Sequence, residues 1–197
     1  MYKFLISLLG GMIGAVIIIG VYHHFIEKKT NPIAEYYKIE NAVSVSPHGL
    51  RKDIVAWKTD FILVDLRSTE EYEVEHIKWA INIPAYKDKD HNAYDQVDRI
   101  VGSFAALPKD KTIIVYCYSH ACMTWRKVGK MLADKGIFVK HLGIGWNEWR
   151  YDWKSWNHPH EWDITNPMDY IDGKNIVHTG SSMPLITPCD KDGLTGC

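Results

Sequence analysis

The sequence predicts an α/β protein built on a parallel sheet, and three observations carry this prediction. The chain of 197 residues is long enough for one domain of ordinary size with additional segments. Two continuous apolar runs, residues 61–65 and 113–116, have the length and composition of strands buried on both faces of a sheet. Strands and segments with helical apolar spacing alternate about five times, an order that is typical of parallel sheets.

The composition excludes one class of partner. The formal net charge is −1, so there is no electrostatic case for nucleic acid binding. The hydrophobic content of 46% is compatible with a proper core, although part of it lies in one N-terminal run. We see no internal repeat and no low-complexity tract.

That N-terminal run predicts a transmembrane anchor over residues 1–25. From Phe4 to Tyr22 there is no charged side chain, and a helix of this length crosses a hydrocarbon core of about 30 Å. A cleaved signal peptide is the alternative, but the apolar stretch is long and residues 21–25 offer no small-residue cleavage site. Lysines lie on both sides of the run, so charge does not decide the orientation.

The remaining elements follow in chain order. Residues 26–41 are mixed and charged, which predicts a juxtamembrane linker with a short helical piece. Two helix starts are marked by capping residues: Ser46 followed by Pro47, and Ser68 with Glu71 three residues later. The expected strands are residues 42–45, 61–65, 76–84, 113–116 and 138–142; the expected helices are 48–57, a short one after Ser68, 94–107 and 123–133.

The central strand ends at a cysteine, Cys117, which is followed by a short loop and then a helix. Backbone N–H groups in such a loop, together with the helix dipole, favour negative charge at one spot and lower a thiol's pKa. A cysteine at a strand end is also a common core residue, so the pattern alone leaves both interpretations open.

Three segments together resemble the rhodanese-like family of sulfurtransferases, and the resemblance covers residues 42–150. They are Val64–Tyr72 with His76–Pro84, the strand, cysteine loop and helix of residues 113–135, and Leu142–Trp149. The resemblance implies a five-stranded parallel sheet flanked by helices, with Cys117 as a nucleophile that carries sulfane sulfur as a persulfide. It implies a sulfur donor, an acceptor thiol or cyanide, and no cofactor.

The resemblance also assigns supporting residues. The loop whose backbone N–H groups would stabilise the persulfide comprises Tyr118, Ser119, His120, Ala121, Cys122 and Met123. Asp65 and Arg67, at the end of the second strand, would brace the loops near the cysteine rather than act in catalysis.

The loop departs from the family's usual pattern in one respect. Thiosulfate sulfurtransferases usually carry an arginine five residues after the nucleophile, where this chain has Cys122. Phosphatases on the same fold place their arginine one residue later, where this chain has Met123, so nothing in the loop can clamp a phosphate. The first arginine, Arg126, lies one turn into the helix, so the loop lacks the family's usual arginine for thiosulfate as the donor.

Two loop residues have alternative roles. Cys122 is either a resolving thiol that attacks a Cys117 persulfide or pairs with it in a disulfide, or a small residue that fills the arginine's space. His120 either favours the thiolate of Cys117 or is an exposed loop residue without a role.

The C-terminal extension, residues 153–197, is rich in tryptophan, proline and glycine. Four tryptophans recur at three- and four-residue steps and would share one face of a helix: Trp146, Trp149, Trp153 and Trp156. Such a face could close the core, line a pocket, bind a partner or touch lipid headgroups. We expect the first two to close the core. Residues 163–197 are expected to wrap the surface as an extended tail.

Histidines and cysteines in the extension raise two further possibilities. His158 and His160, with His91 or His178, match no specific metal site, and no metal is expected. Cys189 and Cys197 flank an Asp-Gly turn, which predicts a disulfide and hence an oxidising compartment outside the cytoplasm.

The chain thus divides into an anchor (1–25), a linker (26–41), a rhodanese-like domain (42–152) and the extension (153–197). The predicted protein is a membrane-anchored sulfurtransferase or persulfide carrier. One alternative is a catalytically weak fold that serves as a binding module or as a subunit of a membrane protein complex. The other is a thiol–disulfide redox protein that uses Cys117 and Cys122.

Overall fold

A computed structural model describes residues 14–21, 31–174 and 176. The chain divides into two units, Met1–Asn41 and Ala42–Cys197. In the first unit, residues 14–21 are helical with mostly exposed side chains. Within the described ranges, no helix is both long and apolar enough to cross a membrane. Most of the expected anchor lies outside these ranges, so the span stays a prediction.

The second unit contains both helices and strands, which alternate over most of its length. The helices are α1 (Pro32–Val43, which begins in the first unit), α2 (Pro47–Val55), α3 (Thr69–Val74), α4 (Val97–Ala105), α5 (Thr124–Ala133), α6 (Trp146–Tyr151) and α7 (Trp153–Trp156). The strands are β1 (Ser44–Val45), β2 (Phe61–Asp65), β3 (His76–Ile77), β4 (Ile81–Asn82), β5 (Thr112–Tyr116), β6 (Lys140–Leu142) and β7 (Ile171–Asp172). Two 3₁₀ helices, Pro159–Glu161 and Pro167–Tyr170, precede β7.

Five strands form one sheet in the order β1-β6-β5-β2-β4, and all its pairs are parallel. The predicted five-stranded parallel sheet is therefore confirmed. Strand β5 lies at the centre, with Asp65 at the end of β2 opposite Tyr116 at the end of β5. Because the strands are parallel, the residues that follow β2 and β5 emerge at the same edge of the sheet.

Side chains alternate between two apolar clusters, one on each face of the sheet. One cluster takes Leu63 and Ile114 from the strands, together with buried residues of α2 and α6. The other takes Val64, Val115 and Cys117, together with buried residues of α4 and α5. Both faces of the sheet are therefore covered, which explains the apolar runs 61–64 of β2 and 113–116 of β5.

Both predicted capping motifs are present. The Ser46 hydroxyl accepts a hydrogen bond from the Gly49 N–H, with Pro47 as the first residue of α2. Ser68 and Glu71 form a reciprocal capping box at the start of α3. These short helices are stabilised where their first N–H groups lack intrahelical partners.

Several predicted element boundaries are wrong. Residues 42–43 belong to α1 rather than to the first strand, and β6 begins at Lys140 rather than Phe138. The strand expected over 76–84 is split into β3 and β4, because Trp79 between them has a φ of 67° and turns the chain.

The expectation that residues 163–197 form a surface tail is wrong for the described part of that segment. Strand β7 pairs antiparallel with β3, so that Ile171 lies opposite Ile77. Tyr170 and Ile171 are almost fully buried in the cluster that contains Trp149. This part of the extension belongs to the core because it covers an apolar surface that the sheet and helices leave open.

A buried ion pair ties the same extension to α2. Arg51 and Glu161 are both almost completely inaccessible, and Arg51 donates to Glu161 and to the side-chain oxygen of Asn157. The guanidinium also lies 5.2 Å from the ring centroid of Trp153. Two buried charges are thus paired and hydrogen-bonded, as burial requires.

Candidate functional site

The candidate nucleophile lies where the central strand ends. Cys117 follows β5 directly and is 1% exposed, with its thiol among the apolar residues between the sheet, α4 and α5. The loop from Tyr118 to Met123 then leads into α5 at Thr124. The order of strand, cysteine, loop and helix is the arrangement that the sequence predicted.

The start of α6 holds this loop in place. The Trp146 N–H donates to the Cys117 carbonyl and the Asn147 N–H to the Tyr118 carbonyl, each at 2.8 Å. A Cβ atom at Gly145 would overlap the backbone of Ser119, so only glycine allows this close approach. The segment Leu142–Trp149, which carried part of the resemblance, therefore fixes the shape of the cysteine loop.

The second cysteine of the loop lies against the first. The Sγ atoms of Cys122 and Cys117 are 3.2 Å apart, which is longer than the roughly 2.05 Å of a disulfide. Both are free thiols, and Cys122 is the more exposed of the two. The Cys122 N–H donates to the Ser119 carbonyl at 3.1 Å, and this tight turn brings the two sulfurs together.

Three hydroxyl residues that sequence reasoning missed surround this pair. The Thr124 Oγ1 atom lies 3.3 Å from the Cys122 sulfur, 2.8 Å from the Tyr86 hydroxyl and 2.7 Å from the Tyr94 hydroxyl. The ring of Tyr86 also meets that of Tyr118 edge to face at 5.2 Å. Thr124 lies in the first turn of the helix expected over 123–133, but nothing in the sequence connects the two tyrosines to it.

The two thiols hold their protons differently. The hydrogen bond with Cys122, followed by burial, raises the pKa of the Cys117 thiol. The hydrogen bond with Cys117 lowers the pKa of Cys122 to about 5, helped by the Thr124 hydroxyl and by the N–H groups of Thr124 and Tyr118. The pair therefore shares one proton at neutral pH, with the negative charge on the more exposed sulfur, Cys122.

Asp65 and Arg67 form a buried hub beside the loop. Arg67 donates to both carboxylate oxygens of Asp65, at 2.7 Å for the closest contact, and to the Glu75 carbonyl. The Tyr116 hydroxyl donates to Asp65 at 2.6 Å. Burial, together with the charge of Asp65, raises the pKa of Tyr116, so the hydroxyl remains a donor. In this geometry the pair braces β2, β5 and the chain after α3.

Arg126 and His120 contact the loop backbone. The Arg126 guanidinium donates to the carbonyls of His120 and Cys122 at 3.2 and 3.1 Å and lies 3.9 Å from the ring centroid of Trp125. The Nδ1 atom of His120 lies 2.9 Å from the Gly143 carbonyl, to which it must donate. The hydrogen bonds made by these two side chains within residues 31–174 therefore shape the loop instead of reaching a sulfur. Ala121 and Met123 are exposed.

The tryptophan cluster lies in the core. Trp146, Trp149 and Trp153 are buried, and Trp156 packs against them with its ring stacked on Trp149 at 5.0 Å. The expectation for Trp146 and Trp149 is thus confirmed, and the other two tryptophans join them because α7 turns back after α6.

Within the described ranges, no group of three or more histidine, cysteine, aspartate or glutamate side chains could hold a metal ion. His158 and His160 stack on each other, and His91 lies against the Asp88 carboxylate. His178, Cys189 and Cys197 lie outside the described residues, so the predicted tail disulfide stays a prediction.

Comparison with known proteins matches the domain to one family. The family model described as "Rhodanese-like domain" matches residues 46–152, which is more than half of the chain. The HTH-type transcriptional regulator Rv0324 of Mycobacterium tuberculosis is 34% identical over 88 residues, 45% of this chain and 34% of the regulator. The match thus spans about a third of that relative.

Two solved structures are similar. The BH2092 protein of Bacillus halodurans is 30% identical, with a TM-score of 0.49 over 62% of this chain and 81% of its own. A rhodanese with anions from E. coli is 25% identical, with a TM-score of 0.31 over 43% of this chain and 85% of its own. The family model, together with the sheet and cysteine loop described above, shows that the chain belongs to the rhodanese-like family.

Proposed function

We propose that this protein is a sulfurtransferase or persulfide carrier that moves sulfane sulfur through a persulfide on Cys117. The observation that carries the proposal is the position of Cys117 at the end of β5, inside a loop that α6 holds rigid. Membership of the rhodanese-like family supports it. A covalent intermediate on this sulfur divides the transfer into two displacement steps.

Each step breaks one bond and forms one bond. The Cys117 thiolate attacks the sulfane sulfur of a donor, and the donor's remaining group leaves with the bonding electron pair. An acceptor thiolate or cyanide then attacks the outer sulfur and expels the Cys117 thiolate. The neighbouring thiolate of Cys122 takes up the Cys117 proton before the first step, because the two sulfurs are 3.2 Å apart.

The loop favours donors with little charge. Arg126, the first arginine after the nucleophile, donates to two loop carbonyls, and the position five residues after Cys117 holds a thiol. A doubly charged donor such as thiosulfate would therefore lack the bidentate cationic partner that an arginine supplies. We expect benzenethiosulfonate, which carries a single charge, to be the better donor.

The test uses the full chain with cyanide as the acceptor, and thiocyanate formation is measured for each donor. We expect Cys117→Ser to abolish protein-dependent transfer and Cys122→Ser to keep at least part of it. We also expect benzenethiosulfonate to give more thiocyanate than thiosulfate at equal concentration. Full activity of the Cys117→Ser variant would overturn the proposal and favour a binding module.

A second candidate function is thiol–disulfide exchange through Cys117 and Cys122. The 3.2 Å separation of the two sulfurs favours it, since a disulfide needs them only to approach to about 2.05 Å. This function requires that the oxidised pair be reduced by a partner dithiol and reformed without a sulfane-sulfur donor. Transfer of disulfide bonds to a reduced test protein by the wild-type chain, but not by Cys122→Ser, would support it.

We further propose that residues 4–25 anchor the domain in a membrane, with the domain outside the cytoplasm. The support is the uncharged stretch from Phe4 to Tyr22 and the pair Cys189 and Cys197, for which a disulfide is predicted. We expect the full chain to sediment with membranes and a chain lacking residues 1–25 to be soluble and folded. Protease protection of the domain in intact spheroplasts would reverse the proposed topology.

A further inference from the structure

The two loop sulfurs are close enough to react with each other. Their 3.2 Å separation lies within the range of about 3–3.5 Å at which reacting atoms meet in a near-attack arrangement. The Cys117 sulfur is enclosed, whereas the Cys122 side chain is partly open to solvent. If Cys117 carries an additional sulfur atom, the Cys122 sulfur therefore lies beside the Cys117 Sγ atom to which that additional sulfur is bonded.

The hydroxyl groups around Thr124 allow it to donate to a thiolate at Cys122. Thr124 has one hydroxyl proton and two lone pairs, and three partners surround its oxygen. A thiolate at Cys122 can only accept, so Thr124 donates to it while Tyr86 and Tyr94 both donate to Thr124. In this arrangement every hydroxyl proton in the cluster has an acceptor, which stabilises Cys122 as the anion.

The lowered pKa of Cys122 agrees with Thr124 as the donor and Cys122 as the anion. In the reduced pair the hydrogen bond with Cys117, the Thr124 hydroxyl and two backbone N–H groups lower the pKa of Cys122 to about 5, against burial. When Cys117 carries the sulfane sulfur its thiol proton is gone, and the Thr124 hydroxyl and the backbone N–H groups remain to favour the Cys122 thiolate. An ionised thiol next to a sulfur electrophile is the reactive partner in thiol–disulfide chemistry, because the thiolate is the attacking species.

We propose that Cys122 resolves the Cys117 persulfide, releasing the sulfane sulfur as hydrosulfide and leaving a Cys117–Cys122 disulfide. This inference rests on the proposed function, which supplies the persulfide. The Cys122 thiolate attacks the Cys117 Sγ atom, a bond forms between the two Sγ atoms, and the bond from Sγ to the outer sulfur breaks. The outer sulfur leaves with that electron pair and takes up the proton that Cys122 accepted from Cys117 during loading, so that hydrosulfide departs. The two cysteines are oxidised and the sulfane sulfur is reduced to sulfide.

Attack on the inner sulfur is favoured over attack on the outer one by the leaving groups. Attack on the outer sulfur would expel the Cys117 thiolate inside an enclosed apolar cluster, where burial disfavours the anion. Attack on the inner sulfur expels hydrosulfide, and a leaving group of lower pKa departs faster. The inner sulfur is also the atom that lies 3.2 Å from Cys122.

The site then returns to its starting state by reduction. A dithiol, small or protein-borne, reduces the Cys117–Cys122 disulfide and is itself oxidised. The net reaction converts one sulfane sulfur and one dithiol into hydrosulfide and a disulfide. The protein would thus be a sulfide-releasing sulfurtransferase, and a reaction that supplies sulfane sulfur must precede it.

A single-turnover experiment separates this step from persulfide formation. The reduced full chain, freed of reductant, receives one equivalent of benzenethiosulfonate, which leaves as benzenesulfinate when its sulfane sulfur is taken. Sulfinate therefore reports loading, and sulfide reports resolution. We expect the wild type to release both in near-equal amounts and to show a Cys117–Cys122 disulfide in a non-reducing peptide map.

The cysteine variants give the decisive outcomes. We expect Cys122→Ser to release sulfinate more slowly than the wild type, because the acceptor of the Cys117 proton is lost. We also expect at least tenfold less sulfide for each sulfinate released, and one added sulfur retained on Cys117. A wild-type chain that releases sulfinate and keeps the added sulfur on Cys117 or passes it to Cys122 would overturn the inference but not the proposed function. A wild-type chain that releases neither product would overturn both.

Thr124 acts as a positioning residue, and its variants test the hydroxyl network. We expect Thr124→Val, which removes the donor to Cys122, to slow sulfide release about tenfold at neutral pH while the rate recovers at higher pH. Thr124→Ser, which keeps the hydroxyl, should restore the rate and its pH profile. An equal loss in both variants, or a loss in the valine variant at every pH, would show that Thr124 has a purely structural role.

Discussion

At the scale of single residues, the site depends on one shared proton between two sulfurs. Cys117 is enclosed by apolar side chains, whereas Cys122 is partly exposed. The negative charge therefore resides on the Cys122 sulfur, which is reached by water and by backbone N–H donors of the loop. The consequence is an unequal pair in which one thiol is ionised at neutral pH and the other is not.

This inequality predicts the pH dependence of alkylation. Because the pKa of Cys122 is lowered to about 5, its thiolate is fully formed well below the usual thiol pKa of about 8.5. The rate of Cys122 modification by iodoacetamide should rise through pH about 5 and stay flat from about 6 to 8. Peptide mapping after brief labelling measures the rate of Cys122 modification at each pH. A rate that keeps rising about tenfold per pH unit over that range would contradict the assignment.

The buried pair Asp65 and Arg67 carries a second residue-scale prediction. Replacing Arg67 by methionine leaves the Asp65 carboxylate buried with the Tyr116 hydroxyl and one backbone N–H as its donors within residues 31–174. We expect this to lower the free energy of unfolding by roughly 3–5 kcal/mol. The matched control is Arg99→Met. Because Arg99 is exposed, this replacement should lower the free energy of unfolding by about 1 kcal/mol or less. Urea unfolding of both variants measures the difference, and equal stabilities would refute the structural role of the pair.

At the scale of elements, the strands and helices of the central sheet could be predicted because their signals are local. An apolar run such as residues 113–116 needs both faces covered, and Ser68 with Glu71 forms its cap within one turn. The predicted starts of β1 and β6 are wrong, because α1 continues to Val43 and only two residue pairs join these two short strands.

The elements that were missed depend on contacts distant in sequence. The pairing of β3 with β7 joins His76 to Asp172, and neither two-residue strand has a pattern of its own. Thr124 meets Tyr86 and Tyr94 only because α5 and the segment before α4 lie side by side. Such contacts follow from the tertiary fold, so a single sequence does not reveal them.

At the scale of the whole molecule, the described part of the C-terminal extension completes the core of the domain. Glu161 pairs with Arg51 of α2, and Tyr170 and Ile171 are buried beside Trp149. Each of these apolar side chains contributes about 1.5–3 kcal/mol by its burial. Removal of Glu161, which leaves Arg51 buried without its partner, would lower the free energy of unfolding by a further several kcal/mol.

Truncation tests this dependence. A chain ending at Asp152, where the family match ends, exposes the apolar surface around Trp149 and leaves Arg51 without Glu161. We expect it to be unfolded or aggregated, whereas a control chain ending at Ile176 should keep a cooperative thermal transition. Circular dichroism and limited proteolysis distinguish the two. Folding of the shorter chain with unchanged stability would contradict the account of the extension.

The central claim is that Cys117 carries sulfane sulfur, and it is tested most directly in the variant that cannot resolve the persulfide. Reduced Cys122→Ser protein is treated with benzenethiosulfonate, and its intact mass and peptide map are measured without reductant. We expect one added sulfur atom, located on Cys117, and no added sulfur when Cys117 is also replaced by serine. An unchanged mass, or an added sulfur that persists without Cys117, would contradict the claim.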